Sequence, residues 1–177
     1  MDPGVNTTWP RLLRLHELAR GAVTIALEAS PNDCLIVAKE LGLVSLGSLT
    51  ARITATPWFD GVELTGSFEA RLEQVCGVTL DTFEQAVHGQ FEIRAVPSGS
   101  PQAPGIDGPA LDLDPEAPDA PDVLVNDTID VSGYVVEHLA LELDPFPRKP
   151  GATFEFEASD AEISPFAALK ALRAPKG

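Results

Sequence analysis

The sequence predicts an α+β fold, an antiparallel β-meander of about four strands with two or three helices packed on one face. Three observations carry that expectation. Apolar and polar residues alternate almost without fault from Gly61 to Cys76, the mark of a long strand with one wet face. Alternating runs flank this one on both sides, separated by short turn signals. Helical periodicity is confined to a few shorter stretches outside those runs, which makes the class α+β.

In chain order, Val23, Ile25 and Leu27 alternate within Ala22–Ala29 and predict a first strand. Ser30-Pro31-Asn32-Asp33 then supplies an N-cap, a proline at the first helical position and an acid in the first turn. It opens a helix over about residues 31–41 with Cys34, Val37, Ala38 and Leu41 on one face. Leu49, Ala51, Ile53 and Ala55 alternate with Thr50, Arg52, Thr54 and Thr56, and Asp60-Gly61 marks a tight turn. Beyond it Val62, Leu64, Phe68, Ala70 and Leu72 face one way and Glu63, Thr65, Ser67, Glu69, Arg71 and Glu73 the other. The short link Gly77-Val78-Thr79-Leu80 leads to a further strand, in which Phe83, Val87, Phe91 and Ile93 alternate with Glu84, His88, Glu92 and Arg94.

Residues 97–122 hold seven prolines and six acids with few large apolar anchors, a composition that cannot offset the entropy of ordering. They are expected to be mobile. Asp130 caps a second helix with Val131, Val135, Leu139 and Leu143 as its stripe, stopped by Pro145, Pro147 and Pro150. Ser164-Pro165 starts a short third helix with Phe166, Leu169 and Leu172 along one side. The expected organisation is a sheet-rich core with one helix over 1–97, an acidic Pro-rich linker over 98–125, and a helical part over 126–177 packing on the same core.

Length and composition bound the function. A chain of 177 residues that is 44% hydrophobic can build one domain with a real core, which excludes wholesale disorder. Its apolar runs are too short to span a bilayer, its start has neither the basic nor the apolar part of a secretory signal, and two cysteines make no disulfide framework. A cytoplasmic protein with no membrane partner is expected. The net charge of −15 is unevenly spread: residues 95–147 carry 11 acids and no Lys or Arg, whereas residues 148–177 carry 4 acids and 5 bases. Such a field repels phosphate backbones and attracts basic partners, of which ribosomal proteins are abundant examples.

Candidate chemistry is sparse. His88 lies beside Glu84 and Glu92 on a polar strand face, and His138 lies one turn before Glu142, but neither pairing supplies three ligands at a familiar spacing. Both are expected to be surface histidines. Hydrolase, Walker and dinucleotide motifs are missing. Cys34 falls on an apolar helix stripe and Cys76 on the apolar parity of its strand, so both read as buried thiols. No catalytic residue, cofactor or metal ligand is expected. The local basic concentration is Arg148 and Lys149, which with Lys170 and Arg173 forms a candidate strip for a partner or RNA contact.

Taken in order, the Cys76-Gly77-Val78-Thr79-Leu80-Asp81 hairpin, the acidic gap, the Asp130–Leu143 helix, Asp144-Pro145-Phe146-Pro147-Arg148-Lys149-Pro150-Gly151 and the closing Ser164–Leu172 segment resemble the large ribosomal RNA subunit accumulation protein (YceD) family. The resemblance runs from about Leu43 to Arg173, with Cys76, Thr79, Leu80 and Asp81 as the hairpin that matches the family. It implies a non-catalytic role in the accumulation of large-subunit (23S) ribosomal RNA, through its synthesis, processing or stability. Many members carry a second cysteine three positions after the first. Thr79 stands there in this chain, which puts any zinc or redox role in doubt. The expectation is a ribosome-biogenesis factor that engages a basic ribosomal protein or an assembly intermediate, with any direct RNA contact weak. A direct RNA-binding protein using the basic strip, or an rRNA-processing enzyme, are the alternatives.

Overall fold

Alternating burial along three long strands builds the molecule, seen in a computed structural model that describes residues 9–104 and 119–154. The elements are β1 (Leu12–Arg14), a 3-10 helix (Leu15–Arg20), β2 (Val23–Glu28), α1 (Pro31–Glu40), β3 (Ser45–Trp58), β4 (Gly61–Val75), β5 (Thr82–Pro97), β6 (Asp122–Leu124), β7 (Thr128–Asp130) and α2 (Val131–Glu142). The main sheet has the order β2-β3-β4-β5-β6, and β1 pairs with β7 in a separate two-stranded ribbon. The α+β class and the meander are as the sequence predicts.

Period-two patterning places Leu64, Phe68, Ala70 and Leu72 of β4 on the same buried face as Ile53 of β3 and Phe91 of β5. The helices cover that face: Cys34, Val37 and Ala38 of α1 and Val131, Val135 and Leu139 of α2 join the strands in a single core cluster. The opposite face, with Thr50, Arg52, Ser67, Glu69, His88 and Gln90, is open to solvent. Two aromatic–glycine pairs tighten the core. Phe91 faces Gly66 and Phe68 faces Gly89 across the β4–β5 ladder, and a methyl on Gly89 would sit 2.6 Å from the Phe68 ring.

Local signals fix the helix ends. Ser30 Oγ accepts the Asp33 N–H at 3.2 Å while Asp33 Oδ2 accepts the Ser30 N–H at 3.0 Å, a reciprocal cap. Gly42, at φ +65°, lets the chain leave α1 through the left-handed region. Asp130 Oδ1 accepts the N–H groups of Ser132 and Gly133 and starts α2.

Three features depart from the sequence expectations. The sheet has a fifth strand, β6, which pairs parallel with β5 and comes from the stretch read as a linker. A three-residue strand is too short to show a period. Residues 98–104, at the start of the expected linker, form a bonded turn: Ser100 is buried, its N–H donates to the Pro97 carbonyl at 3.0 Å and its hydroxyl to Asp60 Oδ1 at 2.7 Å. The rest of the expected linker, from 105 to 118, and the expected helix after Ser164 lie outside the described residues. His138 is not a free surface histidine. It is half-buried and stacks on Phe91, with ring centroids 4.8 Å apart and planes 7° from parallel.

Candidate functional site

The β4–β5 connection and the segment after α2 meet at one end of the sheet. In the connection, the Cys76 N–H donates to the Asp81 carbonyl at 2.8 Å and the Leu80 N–H to the Cys76 carbonyl at 2.9 Å. Closing this turn forces Leu80 to φ +61° and leaves its side chain 77% exposed. After α2 the chain turns at Asp144, whose Oδ1 accepts the Phe146 N–H at 2.8 Å, and prolines hold it extended as a strap. The strap lies on the hairpin: the Gly77 N–H donates to the Pro147 carbonyl at 2.8 Å.

Cys76 is the centre of this junction. Its Sγ accepts N–H groups from Val78 at 3.4 Å, Thr79 at 3.5 Å and Lys149 at 3.4 Å, and no part of the residue reaches solvent. The Thr79 hydroxyl, then the amides of Lys149, Thr79 and Val78, hold the thiol down to about 6, against the opposing effect of burial. These donors stabilise negative charge on sulfur, and because they come from both the hairpin and the strap, the thiol clasps the two segments together. Cys34 differs: burial first, then the charge of Asp33, pushes its thiol up.

The strip named from sequence is therefore divided. Lys149 joins the hairpin twice, through its N–H to Cys76 and through Nζ to Asp81 Oδ2 at 3.3 Å. Arg148 is exposed and makes no ion pair among the described residues. Lys170 and Arg173 lie outside the described residues. Leu80 and Phe146, each 77% exposed, flank the clasp, so this end of the molecule presents two apolar side chains beside Arg148. The contact between Cys76 and Lys149 spans 73 residues. Sequence reasoning picked both segments but had no period or spacing that could join them.

Elsewhere, Tyr134 donates its hydroxyl to Asp122 Oδ2 at 2.6 Å, and burial together with that carboxylate raises its pKa far above the usual phenol range. Among the described residues no three His, Cys, Asp or Glu side chains come together as metal ligands, and no helix is long and apolar enough to cross a membrane.

The fold and this junction define a small α+β protein whose distinctive surface is a hairpin tip clasped by a strap, below a sheet with one open polar face. The chain belongs to the large ribosomal RNA subunit accumulation protein YceD family, whose model matches residues 64–173, from β4 through the strap and beyond. No curated protein and no solved structure matches the chain.

Proposed function

We propose that the protein is a non-catalytic ribosome-biogenesis factor that supports large-subunit rRNA accumulation by binding a basic ribosomal protein or an assembly intermediate in the cytoplasm. The family match over residues 64–173 carries the rRNA pathway. The charge favours a protein partner over naked RNA. The chain stands at −15, and of its described basic strip Lys149 is already paired with Asp81. Each phosphate neutralised adds roughly 0.7–0.9 to the salt slope, so the few remaining cations permit only a shallow dependence.

Titration of the protein with rRNA fragments and with purified large-subunit ribosomal proteins at 50 and 200 mM salt tests this reading. Tighter binding to a ribosomal protein than to RNA supports it. Tight RNA binding with a steep salt slope, lost in an Arg148→Ala, Lys149→Ala double variant, replaces it with direct RNA recognition.

A further inference from the structure

The hairpin between β3 and β4 turns through only Phe59 and Asp60, because Trp58 is paired with Gly61. Phe59 holds φ at +50°, a region glycine enters freely and a bulky L-residue does not. The residue is nonetheless 74% exposed, so little burial offsets the strain.

The tip beneath it is fixed on every side. Gly61 lies so close to the Ala95 carbonyl and Val96 that no Cβ fits, and Asp60 Oδ1 accepts the Ser100 hydroxyl at 2.7 Å. Trp58 meets Phe59 edge to face, with centroids 4.8 Å apart at 88°. Trp58 also carries the Arg94 guanidinium over its ring, 5.4 Å from the centroid, and Glu63 and Glu92 hold that guanidinium at 2.9 and 3.0 Å. The molecule thus satisfies one aromatic ring with an arginine flanked by carboxylates. Phe59 has the same ring chemistry, an adjacent carboxylate in Asp60, and no such cation among the contacts described.

We propose that Phe59 is a recognition residue that receives an arginine side chain of a basic polypeptide partner. The tip holds the ring in a strained, solvent-facing position so that a guanidinium can stack on it while Asp60 and the acidic surface supply attraction. This rests on the reading of the protein as a binder of basic proteins and names a contact within it. A nucleobase would also stack on an aromatic ring, but Asp60, Glu63 and Glu92 outnumber Arg94 here and oppose a phosphate backbone.

Phe59→Gly separates recognition from folding, because it suits the turn and leaves the charge unchanged. Anisotropy titrations with fluorescein-labelled nona-arginine and nona-lysine at 150 mM salt are the measurement, with thermal unfolding of each variant alongside. The expected result is a roughly three- to fivefold loss of nona-arginine affinity in Phe59→Gly, a smaller loss for nona-lysine, recovery in Phe59→Trp, and a thermal midpoint at or above that of the parent. Phe59→Asn, which also tolerates this φ, repeats the test if the glycine variant folds poorly. Equal nona-arginine affinity in parent and variants overturns the proposal. If purified large-subunit ribosomal proteins still bind in that case, the functional reading survives it; if they bind neither form, both fail. Tight binding of a 12-nucleotide single-stranded RNA that is lost in Phe59→Gly overturns the assignment of the partner as a polypeptide.

Discussion

The Lys149 backbone N–H donates to Cys76 Sγ at 3.4 Å, tying the strap that follows α2 to the hairpin between β4 and β5. The donor is main chain, so this bond does not depend on the side chain at 149, which adds only the exposed pair with Asp81. Lys149→Ala should therefore cost at most about 1 kcal/mol, the worth of its exposed pair with Asp81. Lys149→Pro removes the N–H itself and should speed amide exchange across 145–152, whereas the alanine variant leaves that exchange unchanged.

The clasp also has a pH signature. The folded thiol of Cys76 ionises at about 6, below the value near 8.5 of a free cysteine. Between those limits the unfolded chain binds more protons than the folded one, so the contribution to stability is full above about 8.5 and is lost as pH falls through about 6. The difference in thermal midpoint between the parent and Cys76→Ala should grow steadily from pH 5.5 to pH 8.5. A constant difference would mean that the sulfur stays protonated. Cys76→Ser should retain function with a modest loss of stability from placing a hydroxyl in a buried site, and complete loss of function in a correctly folded Cys76→Ser protein would point to thiol chemistry.

Gly89 and Gly99 make a matched pair of alanine substitutions. At Gly89 a methyl would meet the Phe68 ring at 2.6 Å and Glu142 Cγ at 3.1 Å, so Gly89→Ala should destabilise by about 1–3 kcal/mol. At Gly99 nothing lies within 4 Å, and the change should stay within about 0.5 kcal/mol. Urea midpoints at constant slope provide the comparison.

Asp130 is the start signal of α2 and also accepts the hydroxyl of buried Ser132 at 2.7 Å, while Ser132 Oγ accepts the Arg11 N–H at 2.8 Å. Asp130→Ala should cost about 1–2 kcal/mol, near the upper end for a cap because the network behind it loses an acceptor. Ser132→Ala should cost a comparable amount by leaving the Arg11 N–H unpaired. If the double variant is much less damaging than the sum of the two, the residues act as one unit.

In cells, deletion of the gene should lower large-subunit rRNA relative to small-subunit rRNA. Quantifying both species by gel or sequencing over several growth temperatures checks this. Equal ratios in deletion and parent strains would remove the basis for the proposed role.

The long strands, both helices and the cap at Ser30 were legible because period, cap and turn signals are local. The same locality explains what was not. His138 on Phe91 joins residues far apart in the chain, and a histidine beside glutamates carries no sign of an aromatic neighbour. β6 and β7 are three residues each, below the length at which alternation can be recognised. The sequence places the tight turn at Asp60-Gly61, one residue late. The register, however, puts the turn at Phe59-Asp60 and makes Gly61 its closing partner, so the strained residue is the one without a turn propensity.

The parallel pairing of β6 with β5 has a topological consequence. Asp122 lies opposite Ala95 and Leu124 opposite Pro97, so the chain re-enters the sheet beside the point where it left. Whatever path the intervening residues take, their two ends are anchored a few residues apart on one edge, and the excursion is a closed handle on the sheet. Closing such a handle costs only about 0.6 kcal/mol more for each doubling of its length. A change in the number of residues joining Pro97 to Asp122 therefore adds little entropic cost while β6 keeps its three pairings with β5.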